Sequence, residues 1–265
     1  MISAELMGRL GNQMFIVAAT LSLARDNQDE AMFSDLISGI TPSQKSQSLY
    51  KQTIFRKINF THPSSLSGKF ESIHVEPQNH RYKEIEYNKN LFLKGYFQCE
   101  KYFCHNREFI LDLFSPLEEV NNFIHKKYRD IINNDECVFV HIRRGDFLKY
   151  KEYHNNLGKE YYDKAFSEFK GHKLVFFSDD IEWCRQTFGE KDENYFVDAQ
   201  NDIIELYLMS KIKNGILSNS SFSWWGSWLN KDPGNFVAPH QDRWFGVKNS
   251  HLNAVDIIPN RWKKI

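Results

Sequence analysis

Apolar residues along this chain fall into short continuous runs, separated by longer segments in which they recur every three or four positions. That is the pattern of buried strands alternating with amphipathic helices. At the start, "ISAELM" reads as a short strand, "GRLGNQ" (Gly8 to Gln13) as a glycine loop, and "MFIVAATLSLARD" as a buried helix. From Ser34 to about Asn90 the pattern fades: "TPSQKSQSLY", "THPSSLSG" and "EPQNHRY" are rich in turn residues and read as loops with short helices. It resumes in "NLFLKGYFQCEKYF", a strand ending at Gly95 and aromatic residues, followed by a helix through "REFILDLF". After Pro116, the residues Val120, Phe123, Ile124 and Tyr128 fall at helical spacing.

The second half alternates more strictly. A strand ends in "HIRRGD"; then come helix "GKEYYDKAFSEFK", strand "KLVFFSDD", helix "IEWCRQTFG", strand "NYFVDA", helix "DIIELYLMSK", strand "NGILSN", helix "SFSWWGSWLN" and strand "NFVAP". Such alternation with short turns predicts a parallel, doubly wound α/β sheet, in which ligands sit beyond the C-terminal ends of the strands. A chain of 265 residues, 41% hydrophobic, has enough apolar material for two α/β lobes, expected at residues 1–134 and 135–265.

Charge and composition remove several function classes. Lys plus Arg and Asp plus Glu number 34 each, so no global field holds DNA or RNA, and any anion site must be local. Cys99, Cys104, Cys137 and Cys184 lack CxxC spacing or nearby histidine ligands, which speaks against a structural zinc and for reduced thiols in a cytosol. No apolar run reaches the roughly 20 residues a spanning helix needs. "FIVAATLSLA" (Phe15 to Ala24) could pass for a secretion signal, but Glu5 and the preceding glycine turn favour a buried first helix.

The strand ends carry the chemistry. "HIRRGD", "SDD", "DAQND" and "SNSSFS" would place arginines, carboxylates and hydroxyls at one sheet edge, a pocket for a nucleoside diphosphate. Arginine's planar fork suits phosphate oxygens. Ser218 to Ser221 precede a helix, whose N-terminal N–H groups favour an anion; a plain N-cap is the simpler alternative for Ser220 or Ser221. Asp179 and Asp180 point to opposite faces of an extended strand end and make a poor divalent cage. One such carboxylate could instead accept from the donor pair of guanine. By the same alternation, Arg144 faces away from Arg143 and is free to pair with Asp146 or with the neighbouring lobe. "SWWGSW" reads as a buried helix face rather than a sugar shelf.

"GRLGNQMF", "HIRRGD" and "SNSSFSWWGSWL", in that order over essentially the whole chain, resemble the α-1,2-fucosyltransferases of glycosyltransferase family 11. The α-1,6- and protein O-fucosyltransferases share the HxRRxD pattern. The resemblance implies a GT-B-type enzyme of two Rossmann-like lobes, the N-terminal one on the acceptor side and the C-terminal one binding the GDP-sugar. It implies GDP-β-L-fucose as donor, no metal and no other cofactor, inversion at the anomeric carbon, and an α-1,2 linkage to a galactose-terminated oligosaccharide or lipid-linked glycan.

On that resemblance Arg143 contacts the β-phosphate, and His141 lies near guanine or ribose. Ser178 and Asp179 sit at the guanine end, while Asn219, Ser220, Ser221 and Phe222 line the diphosphate and nucleoside. Arg144 and Asp146 are either donor contacts or a supporting pair. Gly11, Asn12 and Gln13 form a loop toward the diphosphate or acceptor. For the acceptor proton the candidates are Glu5, His154, or no dedicated base at all. The expected setting is the bacterial cytoplasm, in O-antigen or capsule synthesis, with the basic "RWKKI" end either touching the inner membrane or forming an ordinary tail. Two rivals stand: a transferase for another GDP-sugar, and a nucleotide-sugar-binding module without turnover.

Overall fold

The computed structural model describes residues 1–36, 44–77, 79–199 and 201–265; residues 37–43, Gln78 and Gln200, which fall within the turn-rich stretch and within "DAQND", lie outside the described residues. The chain divides into two compact units, Met1–Leu117 and Glu118–Ile265. The expected boundary at 134/135 therefore lies later than the observed one. The physical reason is the segment α4 (Glu118–Lys127) and α5 (Arg129–Ile132). Its Ile124 and Tyr128 are buried, Tyr128 packs edge-on to Tyr195, and His125 hydrogen-bonds Lys211.

The first unit is built on a three-stranded parallel sheet in the order β1 (Ile2–Ala4), β5 (Leu91–Lys94), β4 (Ser72–Val75). Ile2, Ala4, Leu91 and Leu93 share one face by register and are all buried. The helix after β1 is α1 (Leu10–Asp26), with Met14 through Ala18 fully buried. It begins earlier than expected, so Gly11, Asn12 and Gln13 stand in its first turn rather than in a loop. The backbone N–H groups of Asn12 and Gln13 both donate to the Arg9 carbonyl. Arg9, at the N-cap, offers no capping side chain, so the usual start signal is absent from the sequence.

The turn-rich stretch does contain a helix, α2 (Gln44–Gln52), but also strands: β2 (Phe33–Ser34) pairs in parallel with β3 (Phe60–Thr61), and β4 belongs to the main sheet. These were hidden because they are two to four residues long, and because β4 exposes Ile73 and Val75 while sheltering the polar Ser72 and His74. α3 (Arg107–Leu113) completes the unit, inserting Ile110, Leu111 and Leu113 into its core.

The second unit holds six parallel strands in the order β11-β10-β9-β6-β7-β8. They are β6 (Cys137–Ile142), β7 (Lys173–Ser178), β8 (Asn194–Phe196), β9 (Asn214–Ile216), β10 (Phe236–Ala238) and β11 (Lys263–Lys264). All six residues of β6 are buried, as a central strand covered on both faces requires. The helices α6 (Gly145–Lys149), α7 (Lys159–Phe166), α8 (Ile181–Phe188), α9 (Asp202–Met209) and α10 (Ser221–Trp228) fall between the strands.

Trp224, Trp225 and Trp228 of α10 are at most 1% exposed, so "SWWGSW" is the buried face the sequence suggests. The "RWKKI" end is not a tail. Lys263 and Lys264 extend the sheet as its edge, Trp262 is buried, and Lys263 pairs with Glu168. Among the described residues no helix is long and apolar enough to cross a membrane.

Candidate donor site at the switch point of the second unit

Strand order reverses around β6: β7 and β8 lie on one side of it, while β9, β10 and β11 lie on the other. Crossover helices from adjacent strands leave in opposite directions at such a point, and the crevice beyond the strand ends takes ligands. "HIRRGD" begins in the last two residues of β6 and runs beyond it, and "SNSS" follows β9, so the two motifs flank this crevice.

Each side chain is held by a specific neighbour. Arg143 faces Asp146 Oδ1 through Nη2 at 2.5 Å and Asp179 Oδ2 through Nη1 at 2.8 Å, with Phe147 beneath its guanidinium. Among the described residues, two of its five N–H donors are thus engaged by carboxylates. Arg144 turns the other way, its Nε donating to Asp180 Oδ2 at 3.0 Å and its guanidinium lying 3.8 Å from the Trp183 ring centre. The alternation expected for the two arginines therefore holds, but the partner does not: Asp146 pairs with Arg143, three residues before it, because the chain enters α6 at Gly145 and the turn carries Asp146 back.

Asp179 is busier than a free guanine acceptor would be. Its Oδ1 accepts the Arg144 backbone N–H at 2.9 Å while Oδ2 meets Arg143. Its first task is to hold the arginine turn. A Cβ at position 145 would come within 2.5 Å of Asp179 Oδ2, so the glycine of "RRGD" lets that carboxylate stay against Arg143, and a side chain there would displace it. Asp180 caps α8 through the Trp183 N–H and accepts from Arg144, and Ser178 Oγ receives the Asp180 N–H at 3.0 Å.

His141 is 4% exposed and braces β6 to the end of β9: Nδ1 lies 2.7 Å from Ser218 Oγ, and its ring is 5.7 Å from that of Phe222. Burial, reinforced by the nearby Arg143 charge, pushes its pKa down to about 3, so the ring is neutral near pH 7. Asn219 is committed elsewhere, donating to the carbonyls of Asn155 and Trp244. Ser220 is the N-cap of α10 and accepts the Phe222 N–H at 3.3 Å. Ser221 begins that helix.

His154 stacks on Phe147 at 4.1 Å, which links it to Arg143 through a shared ring rather than directly. Glu5, Gly11, Asn12 and Gln13 belong to the first unit. Glu5 directly follows β1 with its N–H on the Leu93 carbonyl, Asn12 accepts from Gln98, and Gln13 donates to the Gly8 carbonyl.

Sequence reasoning missed Gly145, Phe147 and Trp183 as working parts of this edge, and read Asp180 and Ser218 as possible ligand contacts rather than as partners of Arg144 and His141. The glycine inside the motif was the available signal; the Trp183 platform had none. Glu205 of α9 was also overlooked: burial first, and then Asp202, Asp198 and Asp179, push its carboxyl up to about 8.

The family model for Glycosyl transferase family 11 matches residues 1–252. The chain is 32% identical to an α-1,2-colitosyltransferase of Escherichia coli, covering 100% of this chain and 98% of that protein. It is 28% identical to the O-antigen biosynthesis glycosyltransferase WbnK of the same species, over 95% and 97% of the two chains. In three dimensions it resembles the fucosyltransferase NodZ from Bradyrhizobium, with a TM-score of 0.55, 12% identity, and coverage of 85% and 91% of the two chains. That likeness is one of fold, of GT-B type. From its first strand to the end of the second sheet's motifs, the chain belongs to glycosyl transferase family 11 and is a glycosyltransferase.

Proposed function

We propose that this enzyme transfers L-fucose from GDP-β-L-fucose to the 2-hydroxyl of a galactose-type acceptor, with inversion and without a metal ion. The observation that carries the reading is the Arg143 fork, oriented by Asp146 and Asp179 at the end of β6, with the capped start of α10 following the neighbouring strand β9. Breaking the bond between the sugar C1 and the β-phosphate leaves negative charge on GDP and oxocarbenium character on the sugar. With no metal, the Arg143 guanidinium and the α10 N-terminus stabilise that charge, and because they are already oriented they need little reorganisation.

In this reading His141, Arg144, Ser178, Asp179, Asn219, Ser220, Ser221 and Phe222 shape the donor pocket, most of them by holding the groups that touch the ligand. WbnK is named for O-antigen biosynthesis, which supports a role in bacterial surface-polysaccharide assembly. The enzyme would then work in the cytoplasm on a galactose-terminated oligosaccharide or lipid-linked glycan, in peripheral contact with the inner membrane.

A second donor has a specific observation behind it. The relative at 32% identity is a colitosyltransferase, and colitose is fucose lacking the 3-hydroxyl. GDP release with GDP-fucose and with GDP-colitose, in EDTA, with and without lactose, distinguishes the two. Acceptor-dependent release with GDP-fucose that falls about 100-fold or more in Arg143→Ala supports the fucosyl reading. Release with GDP-colitose alone reassigns the donor. GDP binding with no release from either donor leaves another donor or acceptor, or a non-catalytic module, and full activity in Arg143→Ala removes the arginine from the chemistry.

A further inference from the structure

The C-terminal edge of the first unit's sheet is also built around a charge, though a buried one. Glu76 follows β4 and is 8% exposed. Its N–H continues the sheet by donating to the Lys94 carbonyl at 2.7 Å. Its carboxylate then turns onto the neighbouring chain: Oε2 accepts the Tyr96 N–H at 2.7 Å, and the Phe97 N–H is bonded to the same group. His80 Nδ1 lies 3.8 Å from Oε2.

The segment so gripped is unusual backbone. Gly95 has φ +153°, and Phe97, which is not a glycine, has φ +51°. A Cβ on Gly95 would lie 2.3 Å from Glu76 Cβ, so this position has room for glycine alone. Phe97 is fully buried between His74 and Tyr102, its ring centre 6.2 Å and 5.3 Å from theirs, which anchors the turn from below. Left-handed backbone at a non-glycine residue persists only where its surroundings over-determine it, and such spots cluster at ligand sites.

What the turn presents is a set of aromatic and amide side chains. Tyr96 stacks against His80 at 6.1 Å, with the rings 16° from parallel. Two residues on, Gln98 donates to Asn12 Oδ1 at 2.9 Å, so the same turn also carries one of two paired amides. Glu5, directly after β1, lies close enough that it and Glu76, after burial, push the Tyr96 hydroxyl up. A pyranose shows an apolar C–H face and a ring of hydroxyls, and aromatic faces with adjoining amides and carboxylates match both. All of these groups lie at the C-terminal ends of parallel strands, where α/β sheets bind ligands.

We propose that Glu76 is a positioning residue that fixes the Gly95–Gln98 turn, so that Tyr96, Gln98 and Asn12 form the binding surface for a galactose-type acceptor. The proposal rests on the transferase reading above. Glu76 is not the proton acceptor of the reaction, since its carboxylate is shielded and already receives two backbone N–H groups.

The test is the dependence of GDP release on lactose concentration at saturating GDP-fucose, together with the affinity for GDP, in the wild type and in Glu76→Gln, Tyr96→Ala and Gln98→Ala. Glu76→Gln removes the charge and one of the two acceptor oxygens, which weakens the grip on the turn. Its acceptor KM is expected to rise about tenfold or more, with kcat falling less and GDP affinity unchanged. Tyr96→Ala and Gln98→Ala leave the clamp intact and are expected to show the same split, so they keep the test valid if Glu76→Gln fails to fold. A lactose KM within about twofold of wild type in both would overturn the proposal.

A wild type without acceptor-dependent release would sink the transferase reading instead. Saturation-transfer NMR with lactose then decides the surface. Contacts present in the wild type and lost in Tyr96→Ala support it, whereas contacts absent from the wild type, or surviving in the variant, refute it.

Discussion

The two sheet edges solve the same problem with different materials. In the second unit, arginines and aspartates from neighbouring strand ends hold one another, side chain to side chain, through Arg143, Arg144, Asp146, Asp179 and Asp180. In the first, one buried carboxylate holds main chain, and the groups that face outward ride on the turn it fixes. An edge written in side chains announces its chemistry in the residue names. An edge written in backbone angles does not.

The largest expected effect lies in the side-chain edge. Arg143→Lys keeps the charge but loses the fork that two carboxylates orient, and should lower kcat/KM by about 100-fold to 1000-fold. Stability, read from the urea midpoint, should move far less. A lysine variant within about tenfold of wild type would mean that only net charge matters there, and the contrast between the two edges would weaken.

Matched glycine substitutions come next. Gly95→Ala should destabilise by about 1–3 kcal/mol, since it forces an alanine into a strained conformation against an immovable Cβ. Gly145→Ala meets only the end of a side chain, Asp179 Oδ2 at 2.5 Å, which can swing away. It should cost less stability and more activity, because Asp179 would leave Arg143. Urea titration and GDP-release kinetics on the pair check both halves. Equal stability losses would erase the distinction drawn here.

Legibility in the sequence follows the same division. The parallel sheet of the second unit could be read because its strands are apolar runs bounded by helices at regular spacing, and its strand ends carry rare residue combinations such as "HIRRGD". Even there the wiring could not be read: which aspartate serves which arginine depends on the turn at Gly145, and alternation alone misassigned Asp146. The first unit hid more. β4 alternates exposed Ile73 and Val75 with sheltered Ser72 and His74, the reverse of the usual amphipathic strand, and α1 starts without a capping residue. Glu76 looked like one acid in a turn-rich stretch, since burial and φ angles leave no mark on composition.

His141 offers a pH test of the side-chain edge. A folded pKa of about 3 against an ordinary 6.5 means that the unfolded chain takes up a proton which the folded one refuses. Stability therefore rises with pH across this window and is lost as pH falls below about 6.5. Between pH 7 and pH 5 the loss from this one group is about 2 kcal/mol. Urea midpoints at the two pH values, for the wild type and His141→Asn, isolate it. The asparagine variant should lose correspondingly less on acidification, and parallel losses would show that the ring is protonated without penalty.

The smallest effects concern Arg144, and they separate a ligand contact from a support. Asp180 both caps α8 and receives the Arg144 Nε–H, and its side chain is 34% exposed, so the ion pair itself is worth little once solvent screening is allowed for. Asp180→Asn keeps a good cap and loses only the charge, and should cost about 0.5 kcal/mol or less. Asp180→Ala loses both, and should cost about 1 kcal/mol. If Arg144 serves mainly to pin the strand end against Trp183, activity in both variants should follow stability and stay within about threefold of wild type. An Asp180→Asn enzyme that is fully stable yet several-fold weaker for GDP would instead put Arg144 on the donor, and the outward-turned arginine would join its neighbour in the chemistry.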